Sequence, residues 1–252
     1  MVMMHLKTFI RRPGNKSKYI KQIVKHVPAH FNTYYEPFIG SGALFLYLQP
    51  SQWVINDINK DIMQIWRVIR SNPKLLLKYF RETQIMMSSM TDEEKKSYGQ
   101  NLTYSLSKQR YTVKRAALFL FLTYISYIGH IQRNHKFYFP GLDKKVDFHK
   151  LYCLSNSYRE NLLGIQNFLK TSHGVVDNND YKHVLLNVKE NDFVFLDPPY
   201  VESHHYQLTY NIDEKLDVGF AGELLAEVKK LDDKGVKWLM TQPDTPYVRK
   251  IV

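Results

Sequence analysis

Apolar positions along the chain follow two periods. Short, nearly continuous runs, Trp53-Val54-Ile55-Asn56, Gly174-Val175-Val176, Phe193-Val194-Phe195-Leu196 and Val236-Lys237-Trp238-Leu239-Met240, have strand length and favour β-branched and aromatic residues. They read as strands of a parallel sheet covered on both faces, and a further strand ends near Pro37. Between them the period lengthens. Ile58, Ile62, Ile65, Trp66 and Ile69 recur at helical spacing and predict a core-facing helix, and Tyr19 to His26, Tyr181 to Leu186 and Phe220 to Lys230 are also helix-like. Strands alternating with helices predict an α/β fold. Ser71-Asn72-Pro73 opens a stretch of different character: residues 74–126 are rich in helix formers, and Arg115 to Tyr127 predicts an almost wholly apolar helix at the core of an inserted bundle. Tyr127 to Gly141 then mixes aromatic, amide, basic and glycine residues, the composition of a β-hairpin.

The candidate chemistry lies where strands end. Asp197-Pro198-Pro199-Tyr200 follows the Phe193–Leu196 run. Proline lacks an amide donor and fixes φ, so the backbone leaves the sheet there and presents the Asp197 carboxylate, the Pro198 carbonyl and the Tyr200 ring at the strand's carboxyl end, where open α/β sheets bind ligands. Tyr34-Tyr35-Glu36-Pro37-Phe38-Ile39-Gly40-Ser41-Gly42-Ala43 reads as strand, glycine turn and helix start, a nucleotide-binding pattern without the third glycine of the dinucleotide fingerprint. Asp57, ending the next strand, can accept both ribose hydroxyls of a nucleoside. Asp180 with Tyr181 can clamp an adenine or simply cap the following helix, and the two roles are compatible. The N-terminal loop Ile10 to Lys18 is cationic and suits an anionic group.

Composition narrows the partner. Among 252 residues, 35 Lys and Arg outnumber 24 Asp and Glu, a net charge of +11 that points to a polyanion, nucleic acid first. An anionic membrane surface fits less well, because no apolar run reaches spanning length. The single cysteine, Cys153, leaves no internal disulfide or cysteine-based zinc cluster and predicts a reducing, intracellular setting. His204-His205 reads as loop surface, so no metal is expected, and Met1 to Leu6 is too short for a signal-peptide core.

Glu36-Pro37-Phe38-Ile39-Gly40-Ser41-Gly42, Asn56-Asp57-Ile58-Asn59 and Asp197-Pro198-Pro199-Tyr200, in this order with an insertion between the second and third, resemble the Dam-type (D12 class) family of S-adenosylmethionine-dependent DNA adenine-N6 methyltransferases. The resemblance spans nearly the whole chain. It implies a Rossmann-like class I methyltransferase sheet, residues 1–70 and 165–252, interrupted by a helical target-recognition domain carrying a β-hairpin, residues 71–164. It implies cofactor contacts at Arg12, Gly14 and Lys16, at Phe38, Ile39, Gly40, Ser41, Gly42 and Ala43, at Asp57 and Ile58, and at Asp180, Tyr181 and Asp197. Asp197, Pro198, Pro199 and Tyr200 would carry catalysis on a base flipped from double-stranded DNA, with no metal. Tyr127, His130, Gln132, Arg133, Asn134 and Lys136 would meet DNA. A cognate restriction endonuclease is a candidate partner, and the setting implied is cytoplasmic, in a cell or encoded by a phage or virus; the oligomeric state is left open. Arg12 and Asn15 depart from the family's N-terminal loop, and the hairpin lacks the family's usual arginine unless Arg133 replaces it, so a GATC target does not follow. Two alternatives remain: amino-methylation of RNA or of protein glutamine, against which the insertion argues, and a non-catalytic nucleic-acid-binding relative, against which Asp57 and Asp197 argue.

Overall fold

The computed structural model describes residues 5–129, 131–133, 136–148, 155–200, 218–244 and 249. His130, Asn134, Cys153 and residues 201–217, with His204-His205, lie outside them, as do the side chains of Gln132, Arg133 and Lys136. In chain order the strands are β1 (Tyr34–Glu36), β2 (Gln52–Ile55), β3 (Gln132–Arg133), β4 (Lys136–Phe137), β5 (His173–Val176), β6 (Phe193–Leu196) and β7 (Lys237–Met240). The helices are α1 (Ile20–Ile23), α2 (Ala43–Leu48), α3 (Lys60–Ser71), α4 (Pro73–Ser88), α5 (Asp92–Lys108), α6 (Val113–Ile125), α7 (Asn156–Thr171), α8 (Tyr181–Leu186) and α9 (Val218–Asp233).

Five strands form one parallel sheet in the order β5-β2-β1-β6-β7. Burial is deepest in the middle of the sheet: β6 is buried at every residue and β1 likewise, while edge strands β5 and β7 keep part of their surface. That gradient is what covering both faces of a parallel sheet requires. The chain moves from β1 outward through β2 to β5 and then returns to the other side of β1 as β6. Strand order therefore reverses between β1 and β6, and a crevice opens beyond their carboxyl ends.

The helices differ from the sequence expectation in three places, each for a local reason. The segment from Tyr19 to His26 holds only the short α1, flanked by 3-10 turns at Lys16–Lys18 and Val24–His26. The apolar helix predicted from Arg115 begins at Val113, because the Thr112 side chain accepts the Arg115 amide as its N-cap, and it ends at Ile125, so Tyr127 falls in a 3-10 turn. α3 starts after Asn59, whose side chain accepts the Asp61 and Ile62 amides. Ile58 therefore precedes the helix and is 64% exposed, whereas Ile62, Ile65, Trp66 and Ile69 are buried as the spacing predicts.

One apolar cluster runs from the sheet (Tyr34, Trp53, Phe193) through α3 (Trp66) into α4 (Phe80), α6 (Phe121) and α7 (Leu162). The helices of residues 73–125 thus share the sheet's core. Between α3 and α6 a buried ion pair joins Asp61 to Arg115. β3 and β4 pair antiparallel, and the ladder continues to their base through a Ser126–Leu142 bridge and a Tyr127 amide bonded to the Gly141 carbonyl at 3.0 Å. Among the described residues no helix is long and apolar enough to cross a membrane.

Candidate active site

A cavity of ≈ 680 Å³ opens at the β1/β6 switch point. Its wall includes every residue singled out for cofactor contact, from Arg12, Gly14 and Lys16 through the Phe38–Ala43 turn, Asp57 and Ile58 to Asp180, Tyr181 and Asp197, and adds Pro199. Pro198 and Tyr200 are not in the wall, although Tyr200 lies beside it.

The glycine turn is shaped by backbone needs. Gly40 and Gly42 have φ of +46° and +67°, a region that side chains disfavour, and a Cβ on Gly42 would come within 2.6 Å of the Trp66 ring. At Gly40, among the described residues other than its chain neighbours, no atom lies within 4 Å of where a Cβ would be, so the backbone there is open to the cavity. Asp57 braces the turn: its carboxylate accepts the Gly40 amide at 3.1 Å and the Asn59 amide at 2.8 Å. Burial raises its pKa, against the pull of the nearby Arg12 cation and these two amides. Asn56 locks the neighbouring loops by donating to the Pro37 and Asn179 carbonyls, both at 3.0 Å, while accepting the Asn179 amide at 2.8 Å. The Phe38 and Tyr181 rings pack at 5.2 Å between centroids. Asp180 caps α8 by accepting the Lys182 amide at 2.8 Å, the capping role foreseen for it. The buried Tyr181 hydroxyl has no hydrogen-bond partner among the described residues.

Asp197 sits among groups drawn from across the chain. Lys16 Nζ approaches its two carboxylate oxygens at 2.7 and 2.8 Å and also donates to the Gly14 carbonyl at 3.0 Å. The Thr241 hydroxyl, just past β7, donates to Asp197 Oδ1 at 2.5 Å, and the Tyr200 hydroxyl reaches the same oxygen at 3.5 Å. The Lys16 ammonium stands 5.0 Å from the Tyr200 ring centroid. Burial pushes the Asp197 carboxyl above its ordinary pKa, and the charge and hydrogen bonds of Lys16 and Thr241 only partly offset it. Burial would lower Lys16, but the facing carboxylate outweighs it and the pKa rises. Glu36, also in the wall, is pushed well above the usual carboxylate range by burial and by the charge of Asp197, although it accepts the Tyr34 hydroxyl at 2.6 Å.

The cationic N-terminal loop spans from the cavity to the hairpin. Arg11 donates to the Tyr124 carbonyl at 2.7 Å and pairs with Asp143, and a Cβ on Gly129 would meet the Arg11 carbonyl at 2.5 Å. Tyr127 is 58% exposed at the hairpin's base. Sequence reasoning missed Thr241, which carries no motif and is found only from the pairing of β7 with β6. It also missed Tyr111, which joins the cavity wall from the α5–α6 turn.

A glycine turn and an acid on one side of a parallel sheet's switch point, with Asp-Pro-Pro-Tyr on the other, is the plan of the Rossmann-like methyltransferases that modify amino groups. The D12 class N6 adenine-specific DNA methyltransferase model matches residues 13–252. The chain belongs to that family and is a site-specific DNA adenine-N6 methyltransferase. It is 25% identical to type II methyltransferase M1.LlaDCHI of Lactococcus lactis subsp. cremoris, over 98% of this chain and 84% of that one. Type II methyltransferase M.MjaIII of Methanocaldococcus jannaschii is 24% identical over 94% of this chain and 84% of its own. The DNA adenine methylase of Escherichia coli K12 is 25% identical over 49% of this chain and 42% of its own.

Proposed function

We propose that the cavity holds S-adenosylmethionine and that Asp197 and the Pro198 carbonyl receive the N6 amine of an adenine flipped out of duplex DNA. The observation that carries this reading is the position of Asp197, whose largely buried carboxylate lines, at the end of β6, the same cavity that the open glycine turn lines after β1.

The residues present fit the cofactor. Asp57 accepts the ribose hydroxyls, the Phe38 and Tyr181 rings and Ile58 offer apolar faces to an adenine, and the Tyr181 hydroxyl, without a hydrogen-bond partner among the described residues, is a polar group suited to a ligand atom. Bound there, S-adenosylmethionine supplies a methyl group already activated by its sulfonium. The protein's task is to prepare the amine. An exocyclic adenine amine is a poor nucleophile because its lone pair is delocalised into the ring; accepting one N–H at Asp197 and another at the Pro198 carbonyl favours the pyramidal geometry that frees the pair. Tyr200 stacks on the flipped base, and Pro199 stiffens the loop that holds it.

Residues 1–70 with 165–252 serve as the catalytic unit and residues 71–164 as the DNA-recognition unit. The hairpin base at Tyr127 wedges into the gap left by the flipped adenine, and His130, Gln132, Arg133, Asn134 and Lys136 meet the flanking duplex. Acting on DNA, the enzyme works inside the cell. The names of the two type II relatives favour a cognate restriction endonuclease as partner. The test is tritium transfer from labelled S-adenosylmethionine to duplex DNA, RNA and protein in parallel. Label on the adenine amine of duplex DNA is expected; label on RNA or protein alone would overturn the substrate assignment.

A further inference from the structure

Among the described residues, Tyr111 is the only contribution of residues 71–164 to the cavity wall. It lies in the turn between α5 and α6, far in sequence from the strand ends that supply most of the wall, and it is 49% exposed. A large aromatic left half open at a cavity's edge would ordinarily be free to turn away. Here it is held. The Arg115 guanidinium lies over the Tyr111 ring at 4.1 Å from its centroid, and Arg115 itself is only 4% exposed. Its Nε donates to the Leu106 carbonyl at 3.2 Å, and its Nη1 pairs with buried Asp61 in the first turn of α3, the turn that follows Asp57 and Ile58. One chain of contacts therefore runs from the loop of Asp57 through Asp61 and Arg115 to the face of Tyr111.

Taking an arginine and an aspartate out of water costs several kcal/mol per ion before their attraction returns any of it, so a buried pair is weak grounds for stability. What the pair does secure is position: a planar cation held by the Leu106 carbonyl and by Asp61 fixes the ring stacked on it. The fixed ring belongs to the wall of the cavity, beside the first turn of α3.

We propose that Tyr111 contacts bound S-adenosylmethionine with its ring, closing the Asp57 and Ile58 end of the cavity over the nucleoside, so that the helices of the recognition segment take part in holding the cofactor. This rests on the cavity being the S-adenosylmethionine site. A ring face, rather than a hydroxyl, makes the contact, because a π-face stacks on a nucleoside without needing a specific hydrogen-bond partner.

The experiment is calorimetric titration of S-adenosylhomocysteine, without DNA and without turnover, into wild type, Tyr111→Ala, Tyr111→Phe and Asp57→Ala. Tyr111→Ala is expected to raise the dissociation constant by roughly tenfold, the scale of one lost base–aromatic stack, and Tyr111→Phe is expected to stay within about twofold. Because Tyr111 is half exposed, the Ala variant is expected to keep its thermal midpoint. Wild-type affinity in Tyr111→Ala beside weakened binding in Asp57→Ala overturns the Tyr111 contact alone; wild-type affinity in both overturns the cofactor assignment of the cavity and this inference with it. A Tyr111→Phe variant as weak as the Ala variant overturns the ring contact.

Discussion

Lys16 and Asp197 are 181 residues apart in sequence and meet as a largely buried ion pair, with the ammonium 2.7 Å from one carboxylate oxygen and 2.8 Å from the other. The pair joins the N-terminal loop to the Asp197–Tyr200 loop after β6, and it occupies the carboxylate proposed to receive the target amine. Lys16 therefore tunes Asp197 as well as lining the cavity. Its charge favours the ionised acceptor, working against the burial that raises the Asp197 pKa.

That opposition has a definite sign. In the proposed mechanism methyl transfer needs Asp197 as carboxylate, so activity should be lost as pH falls through its raised pKa. Lys16→Met removes a charge that lowers this pKa, so the acid limb of the kcat profile should move to higher pH, with kcat at neutral pH reduced by about tenfold or more. A pH–rate profile measures both. An acid limb in the wild-type position would separate Lys16 from the ionisation that matters.

Asp197→Ala should slow the chemical step by roughly a hundredfold or more, because a preorganised acceptor is removed from the reacting amine. Cofactor affinity should stay within about several-fold, since it is spread over many groups. Single-turnover kinetics and equilibrium binding report the two separately, and turnover near wild type would sink the assignment.

Asp57→Ala should raise the cofactor dissociation constant by about tenfold or more. The carboxylate that would accept the ribose hydroxyls also accepts the Gly40 and Asn59 amides, so the turn loses its brace at the same time. Calorimetry showing unchanged affinity would leave Asp57 a structural cap.

Arg115→Met should destabilise the fold by about 3–5 kcal/mol, because Asp61 stays buried without this cation. Asp61→Asn combined with Arg115→Met should recover much of the loss. Urea denaturation of the two single variants and the double variant decides it: additive losses would mean that the pair is not coupled.

Specificity should follow the hairpin. Arg133→Ala is expected to relax discrimination at one base pair by roughly 1–3 kcal/mol, whereas Lys144→Ala should weaken binding evenly across sequences and flatten its salt dependence. Methylating a randomised duplex library and sequencing the modified adenines reads the first effect, and binding titrations at several salt concentrations read the second. An unchanged site preference in Arg133→Ala would move readout to residues 201–211.

The features legible in the amino-acid sequence are those encoded over a few residues. Short apolar runs marked β2, β5, β6 and β7, and the run is unbroken at β6, where a parallel strand buried on both faces needs no polar alternation. Gly40 and Gly42 marked a turn with positive φ, and Pro198-Pro199 marked where the chain must leave the sheet. Even here a local rule prevailed over periodicity at Ile58, which the Asn59 cap leaves ahead of α3. What only the tertiary structure decided are the meetings. The order β5-β2-β1-β6-β7 set the switch point between β1 and β6; β7 delivered Thr241 to Asp197 across 44 residues; and the Asp61–Arg115 pair carried Tyr111 into the cavity wall. None of these has a period or a motif, because each depends on which distant segments share a core, and that is determined by packing the whole chain rather than by any window of it.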